Sequence, residues 1–187
     1  MKMKNYNYKI NMKLLAIFLL SLILVPVSII IHEFGHIVAH IVLGFPFILH
    51  YADVTGLEGS CEKDIGVSNC IISSLAGPLT TLLLGGIMVF IFRKTKNIFF
   101  FVFGLTLAGR SFVSPVLGMA DENLINLLLK LPPYSIYLLT LSISIFYSFI
   151  LIKNLENDKI KIVFTTIIGS LVGAFLWLRL IGPLLLP

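Results

Sequence analysis

Apolar side chains run nearly unbroken over residues 14–44, 71–92, 98–119, 134–152 and 162–178, and polar residues gather in the short stretches between. A helix needs about 20 apolar residues to cross a hydrocarbon core of roughly 30 Å. The pattern therefore predicts five spans and an all-α, polytopic membrane helix bundle. The first run is too short for two crossings and longer than one requires, which predicts a single tilted helix kinked at Pro26. The connections are too short to fold separately, so residues 1–187 read as one transmembrane domain, with a basic segment at 1–13 and an external loop at 45–70. Inside that loop, "FPFILHYADVTGLEG" mixes β-branched and aromatic residues with turn formers and predicts a short β-hairpin or edge strand.

Composition agrees with the pattern. Of 187 residues, 58% are hydrophobic and 12% charged, and the mean hydropathy is +1.02, values foreign to a soluble domain. The basic front "MKMKNYNYKINMK" followed by a long apolar run without a small-residue cleavage site reads as an uncleaved signal anchor.

Charge adds orientation. Lys2, Lys4, Lys9 and Lys13 precede the first span, Arg93, Lys94 and Lys96 follow the second, and Lys153, Lys159 and Lys161 separate the last two. Basic residues near span ends stay on the cytoplasmic side, so the expected topology has the N-terminus in the cytoplasm and the C-terminus outside, in the plasma or cell membrane. Lys63 and Lys130 fall in the opposite loops, Arg110 inside the third span, and Arg179 at the end of the fifth, from where it can snorkel. The net charge of +5 is then a topology signal, and nucleic acid is not an expected partner. Cys61 and Cys70 frame "CEKDIGVSNC" on the oxidising side of that topology, where a disulfide is favoured over two free thiols.

The chemistry concentrates in "SIIIHEFGHIVAHIVLG", residues 28–44. On a helix His32 and His36 project from one face about 6 Å apart along the axis, a spacing that suits two imidazoles on one zinc ion. Glu33 stands to the side, placed to act as general base toward a metal-activated water, the logic of H-E-x-x-H. The alternative is a set of buried polar residues satisfied by neighbouring helices, but ionisable groups inside a span are costly unless paired or functional. His40 lies about 12 Å from His32 along the axis, too far to share the ion. His40 and His50 suit helix packing, the interface, or a role in water entry or substrate contact.

A catalytic zinc site needs a third protein ligand and an open position. Asp121 follows an outward-running span and reaches a depth similar to that of His32 and His36, in the outer half of the membrane. Glu122 is the alternative ligand. Asp121 also suits a helix N-cap, since "DENLINLLLKL" reads as a short amphipathic helix stopped by Pro132 and Pro133.

Three stretches together, "HEFGH" at 32–36, "LAGPLTTLLLG" at 75–85 and an aspartate after Pro115 in "SFVSPVLGMADEN", resemble the site-2 protease-like intramembrane zinc metalloproteases. The resemblance implies one zinc per chain on His32, His36 and Asp121, with Glu33 as base. It implies hydrolysis of peptide bonds in membrane-protein or membrane-associated substrates, with a regulatory partner admissible. Arg110, Asn123 and Thr81 are candidate contacts to substrate or oxyanion, and Arg110 suits an ion pair or snorkelling as well. Ser73, Ser74, Thr80 and Thr81 are candidates to line a wet groove, and Pro78 with the glycines at 77, 85 and 86 lets the second span loosen or pack closely. Two other classes fit parts of the pattern: a zinc-binding membrane chaperone or pseudoprotease, and a small proton or ion pathway using His32, Glu33, His36 and Arg110. Stoichiometric metal separates the latter from the enzyme.

Overall fold

A computed structural model describes residues 2–49, 54, 55, 63, 65–113, 120–156 and 158–185, the side chains of 2–10, 54, 55, 113 and 120 excepted. The elements in chain order are α1 (Lys2–Leu43), β1 (Ile48–Leu49), β2 (Val54–Thr55), α2 (Val67–Thr95), α3 (Ile98–Val113), α4 (Ala120–Leu128), α5 (Ser135–Lys153) and α6 (Lys159–Leu176). A π-helical turn, Trp177–Ile181, joins α6 to α7 (Gly182–Leu185). The architecture is an all-α bundle. Among the described residues its strands form the antiparallel pairs Ile48↔Thr55 and Leu49↔Val54.

Among the described residues four helical segments are long and apolar enough to cross a membrane: Asn11–Leu43, Val67–Thr95, Ser135–Lys153 and Lys159–Leu185. Of the expected third span at 98–119, the 16-residue helix α3 is described, about 24 Å long at 1.5 Å per residue; residues 114–119 lie outside the described residues. The loop assigned to 45–70 ends earlier than expected, because α2 already begins at Val67. Its helical turns thus include Cys70, which is fully buried and disulfide-bonded. Cys61 lies outside the described residues, as do His50 and Pro115.

Helix α1 is the spine of the bundle, packed by α2 on one side and α6 on another. It runs uninterrupted through Pro26. A proline has no N–H to give the carbonyl four residues back, here that of Leu22. Gly173 of α6 packs against this carbonyl, where an added Cβ would lie 2.7 Å from the Leu22 oxygen. One turn earlier a Cβ on Gly169 would lie 2.8 Å from the Phe18 oxygen. The pair Gly169 and Gly173 is a small-x-x-x-small stripe that lets two backbones meet, the packing that holds helices together where lipid removes the hydrophobic drive.

Toward one end of the bundle, Ile17, Leu24, Met88, Phe92, Phe101, Val102, Leu151 and Ile162 from α1, α2, α3, α5 and α6 form the main apolar core. The connections at that end carry Arg93, Lys94, Lys96, Lys153, Lys159 and Lys161, all exposed. There Lys96 Nζ donates to the Asn154 carbonyl at 3.2 Å, tying the α2–α3 turn to the end of α5. Three buried hydroxyls are satisfied within their own helices: Ser21 donates to the Ile17 carbonyl, Thr106 to Val102 and Thr166 to Ile162. Helices α3 and α5 are joined by Ser144 Oγ donating to Ser111 Oγ at 2.9 Å. The opposite half of the bundle holds the polar cluster described next.

Candidate metal centre

Two helical rows on α1 organise the site. Ser28, His32 and His36 follow one another at intervals of four, as do Val25, Ile29 and Glu33, so the histidines and the glutamate occupy neighbouring faces. His32, Glu33 and His36 are all buried, at 2%, 4% and 6% exposure, in a helix whose outward face carries Ile30, Phe34, Val38 and Ile41.

Helix α4 brings in the carboxylate. Asp121 Oδ2 lies 2.8 Å from His32 Nε2 and 3.4 Å from His36 Nε2, and the two Nε2 atoms are 3.2 Å apart. His32, His36 and Asp121 are, among the described residues, the group that can hold a metal ion. Because α4 begins at Ala120, Asp121 sits inside the first helical turn, with its carboxylate directed at the two imidazoles. It therefore does not occupy the N-cap position considered from the sequence. Glu122 is buried on the same turn but is outside this group, and Asn123 is exposed.

The donor set fits a cation. His36 Nδ1–H donates to the Ser73 carbonyl at 2.7 Å, which fixes the tautomer and leaves the Nε2 lone pair facing Asp121 and His32. In the His32 Nε2–H tautomer that nitrogen donates to Asp121 at 2.8 Å, and a cation bound by the three side chains would take the place of that proton. His32 Nδ1 is buried without a hydrogen-bond partner among the described residues, so the ring of His32 is held by packing and by what its Nε2 meets.

Helix α2 forms the wall. A Cβ built on Gly77, the glycine of "LAGPL", would lie 2.6 Å from His32 Nε2, 2.7 Å from His36 Cε1 and closer still to His36 Nε2. Gly35 makes the reciprocal approach, where a Cβ would lie 2.6 Å from both the Ala76 carbonyl and Thr80 Oγ1. The sequence marked Gly77 for close packing; that it faces the imidazole nitrogens, and that the Ser73 carbonyl orients His36, depended on the crossing of α1 and α2.

The remaining candidates are distributed unevenly. Arg110, near the end of α3, places Nη2 3.9 Å from Glu33 Oε1, an ion pair across two helices. Thr81 Oγ1 donates to the Pro78 and Gly77 carbonyls at 2.9 and 3.2 Å, so its hydroxyl proton is used inside α2. His40 is buried at the end of α1, its ring against Phe47 and its Nδ1–H donating to the Pro46 carbonyl at 3.2 Å. It closes the helix end rather than joining the cluster. Comparison with protein families, with characterised proteins and with solved structures gives no match for the chain.

Proposed function

We propose that the protein is an intramembrane zinc metallopeptidase of the site-2 protease-like kind, cleaving membrane-embedded or membrane-associated polypeptides. The observation that carries the reading is the convergence of His32, His36 and Asp121 from α1 and α4, with the Glu33 carboxylate on the adjoining face of the same helical turn. These three side chains would hold the ion. Zinc, when bound, supplies Lewis-acid polarisation of a carbonyl and acidifies water at neutral pH.

The chain's own groups do the rest. Glu33 takes a proton from the attacking water at its carboxylate and delivers it to the leaving amine nitrogen. Arg110 holds that carboxylate from the far side, at 3.9 Å. The Ser73 carbonyl keeps His36 in one tautomer, and the apolar flanks of α1 and α2 limit water to what the reaction consumes. The basic end of the bundle lies in the cytoplasm in this reading, and the metal centre in the outer half of the membrane.

The test uses Glu33→Gln, which keeps size and hydrogen bonding and removes the base. The purified variant should retain one zinc per chain and lose cleavage of single-span reporter peptides, carrying a fluorophore and quencher, by several orders of magnitude, on the order of the 10²–10⁴-fold typical of one acid–base group or more. Cleavage near the wild-type rate would remove Glu33 from the mechanism, and a metal-free wild-type protein would end the proposal.

A further inference from the structure

A cavity of about 450 Å³ lies among α1, α3, α5 and α6, within the range of roughly 300–1,000 Å³ usual for small-molecule sites. Its lining runs along α6 from Val163 to Ala174, a length of roughly 16 Å at 1.5 Å per residue. That volume over that length, with the thickness of one water added at the walls, makes a slot roughly 9 Å from wall to wall, still narrower than the 10–12 Å of a helix with its side chains.

The lining is apolar apart from hydroxyls and one charge. Ser28, Thr106 and Thr166 line it, yet each donates its proton to a carbonyl of its own helix. Ser148 Oγ, on the α5 side, is buried with no partner among the described residues. Arg110 is the single charged residue of the lining, at the end of the slot nearest the metal centre. Its guanidinium has five donors in a planar fork, and Glu33 at 3.9 Å is beyond hydrogen-bonding distance. An extended peptide would bring a polar backbone group at every residue into a wall that offers no ladder of partners. A helical peptide is too wide. A single hydrocarbon chain ending in an anion matches both the wall and the one cation at its end.

We propose that this slot binds a long-chain fatty carboxylate from the surrounding membrane, its chain along α6 and its headgroup on Arg110. Binding there does not depend on the peptidase reading, because neither the chain nor the headgroup uses His32, His36 or Asp121. Occupancy places a second carboxylate on the guanidinium that faces Glu33, which couples the lipid to the position of that side chain.

The chain's one tryptophan reports on the slot. Trp177 packs against Val25, Ile29, Ala174 and Leu178, all of which line it. In nanodiscs at alkaline pH, 9,10-dibromostearate should quench Trp177 fluorescence saturably, and its methyl ester should quench only in proportion to partitioning. Arg110→Gln should raise the half-saturation concentration of the carboxylate at least tenfold. Gly109 lines the slot, and a Cβ there meets nothing within 4 Å, so Gly109→Leu should fill it and abolish the saturable component. Ser170→Leu plugs it from α6 as an independent second variant, and both are compared as monodisperse, helical protein. Equal saturation by ester and carboxylate, or saturable quenching that survives both plugs, overturns the proposal. Saturable quenching by a brominated single-span peptide but not by dibromostearate assigns the slot to a polypeptide and overturns it as well.

Discussion

Replacing Gly77 by alanine adds one methyl group at the most confined point of the metal centre. The new Cβ would stand 2.6 Å from His32 Nε2 and 2.7 Å from His36 Cε1, where ordinary contact begins near 3.4 Å. The rings must retreat by roughly 0.8 Å, several times the ±0.2 Å that metal–ligand distances tolerate. His36 resists because its Nδ1–H is held by the Ser73 carbonyl of the same helix that carries Gly77. If the helices separate instead, the overpacking should cost about 1–3 kcal/mol of stability. Losing an orienting neighbour of a ligand typically costs 10–100-fold in metal affinity, and displacing both imidazoles should reach the upper end, about 100-fold. Zinc affinity measured by chelator competition on folded, monodisperse protein gives the number. Gly85→Ala is the matched comparison on the same helix, since its Cβ would make ordinary contacts with the Tyr147 ring at 3.5 Å and Leu107 Cβ at 3.8 Å, and it should bind zinc normally. A Gly77→Ala protein that folds and holds zinc as tightly as the wild type would refute the claim that α2 shapes the site through this residue.

Three further outcomes are expected. Asp121→Ala should lower zinc occupancy as far as His36→Ala does, while Glu122→Ala and His40→Ala each keep one zinc per chain by elemental analysis; loss of metal only in the Glu122 variant would move the ligand by one residue. Gly173→Leu should destabilise the α1–α6 packing by about 1–3 kcal/mol, read as a lowered midpoint in thermal gel filtration, with the zinc content of the folded fraction unchanged; an unaltered midpoint would show that the two backbones do not meet at the Leu22 carbonyl. With the native cysteines replaced, Lys130→Cys should react with an impermeant thiol reagent on intact cells and Lys94→Cys only after the membrane is opened, and the reverse pattern would invert the topology.

The helical class was legible because a run of apolar residues in lipid has almost no alternative to an α-helix. The shared face of His32 and His36 was legible too, since four-residue spacing on a helix is a matter of local geometry that no packing can change. Asp121 was reachable by counting residues along two runs that both lead outward, yet its place inside the first turn of α4, and not at its cap, required the boundary at Ala120. What remained hidden depended on how helices cross. Hydropathy is blind to rotation about a helix axis, so it could not show that Gly77 meets the imidazoles while Gly85 meets Tyr147. Thr81 looked like a polar lining for a groove, but a hydroxyl in an apolar helix is readily used by its own backbone, and that is what it does. The slot beside α6 has no sequence signature at all, because it is a gap among four helices.

The bond between His32 and Asp121 spans 89 residues. An ion shared by those side chains is therefore a clasp on a long loop, one that comprises α2, α3 and their turns. Closing a loop of that length has an entropic cost that grows only slowly with its size, and ligand binding adds stability by mass action, about 2.7 kcal/mol when free zinc is a hundred times the dissociation constant. In the proposed reading, metal loading would be a late step of assembly, reached only after α4 has come back to α1. In a cell, zinc supply would act on the lifetime of the folded protein as well as on its chemistry, and chains starved of metal would first release the short helix that carries Asp121.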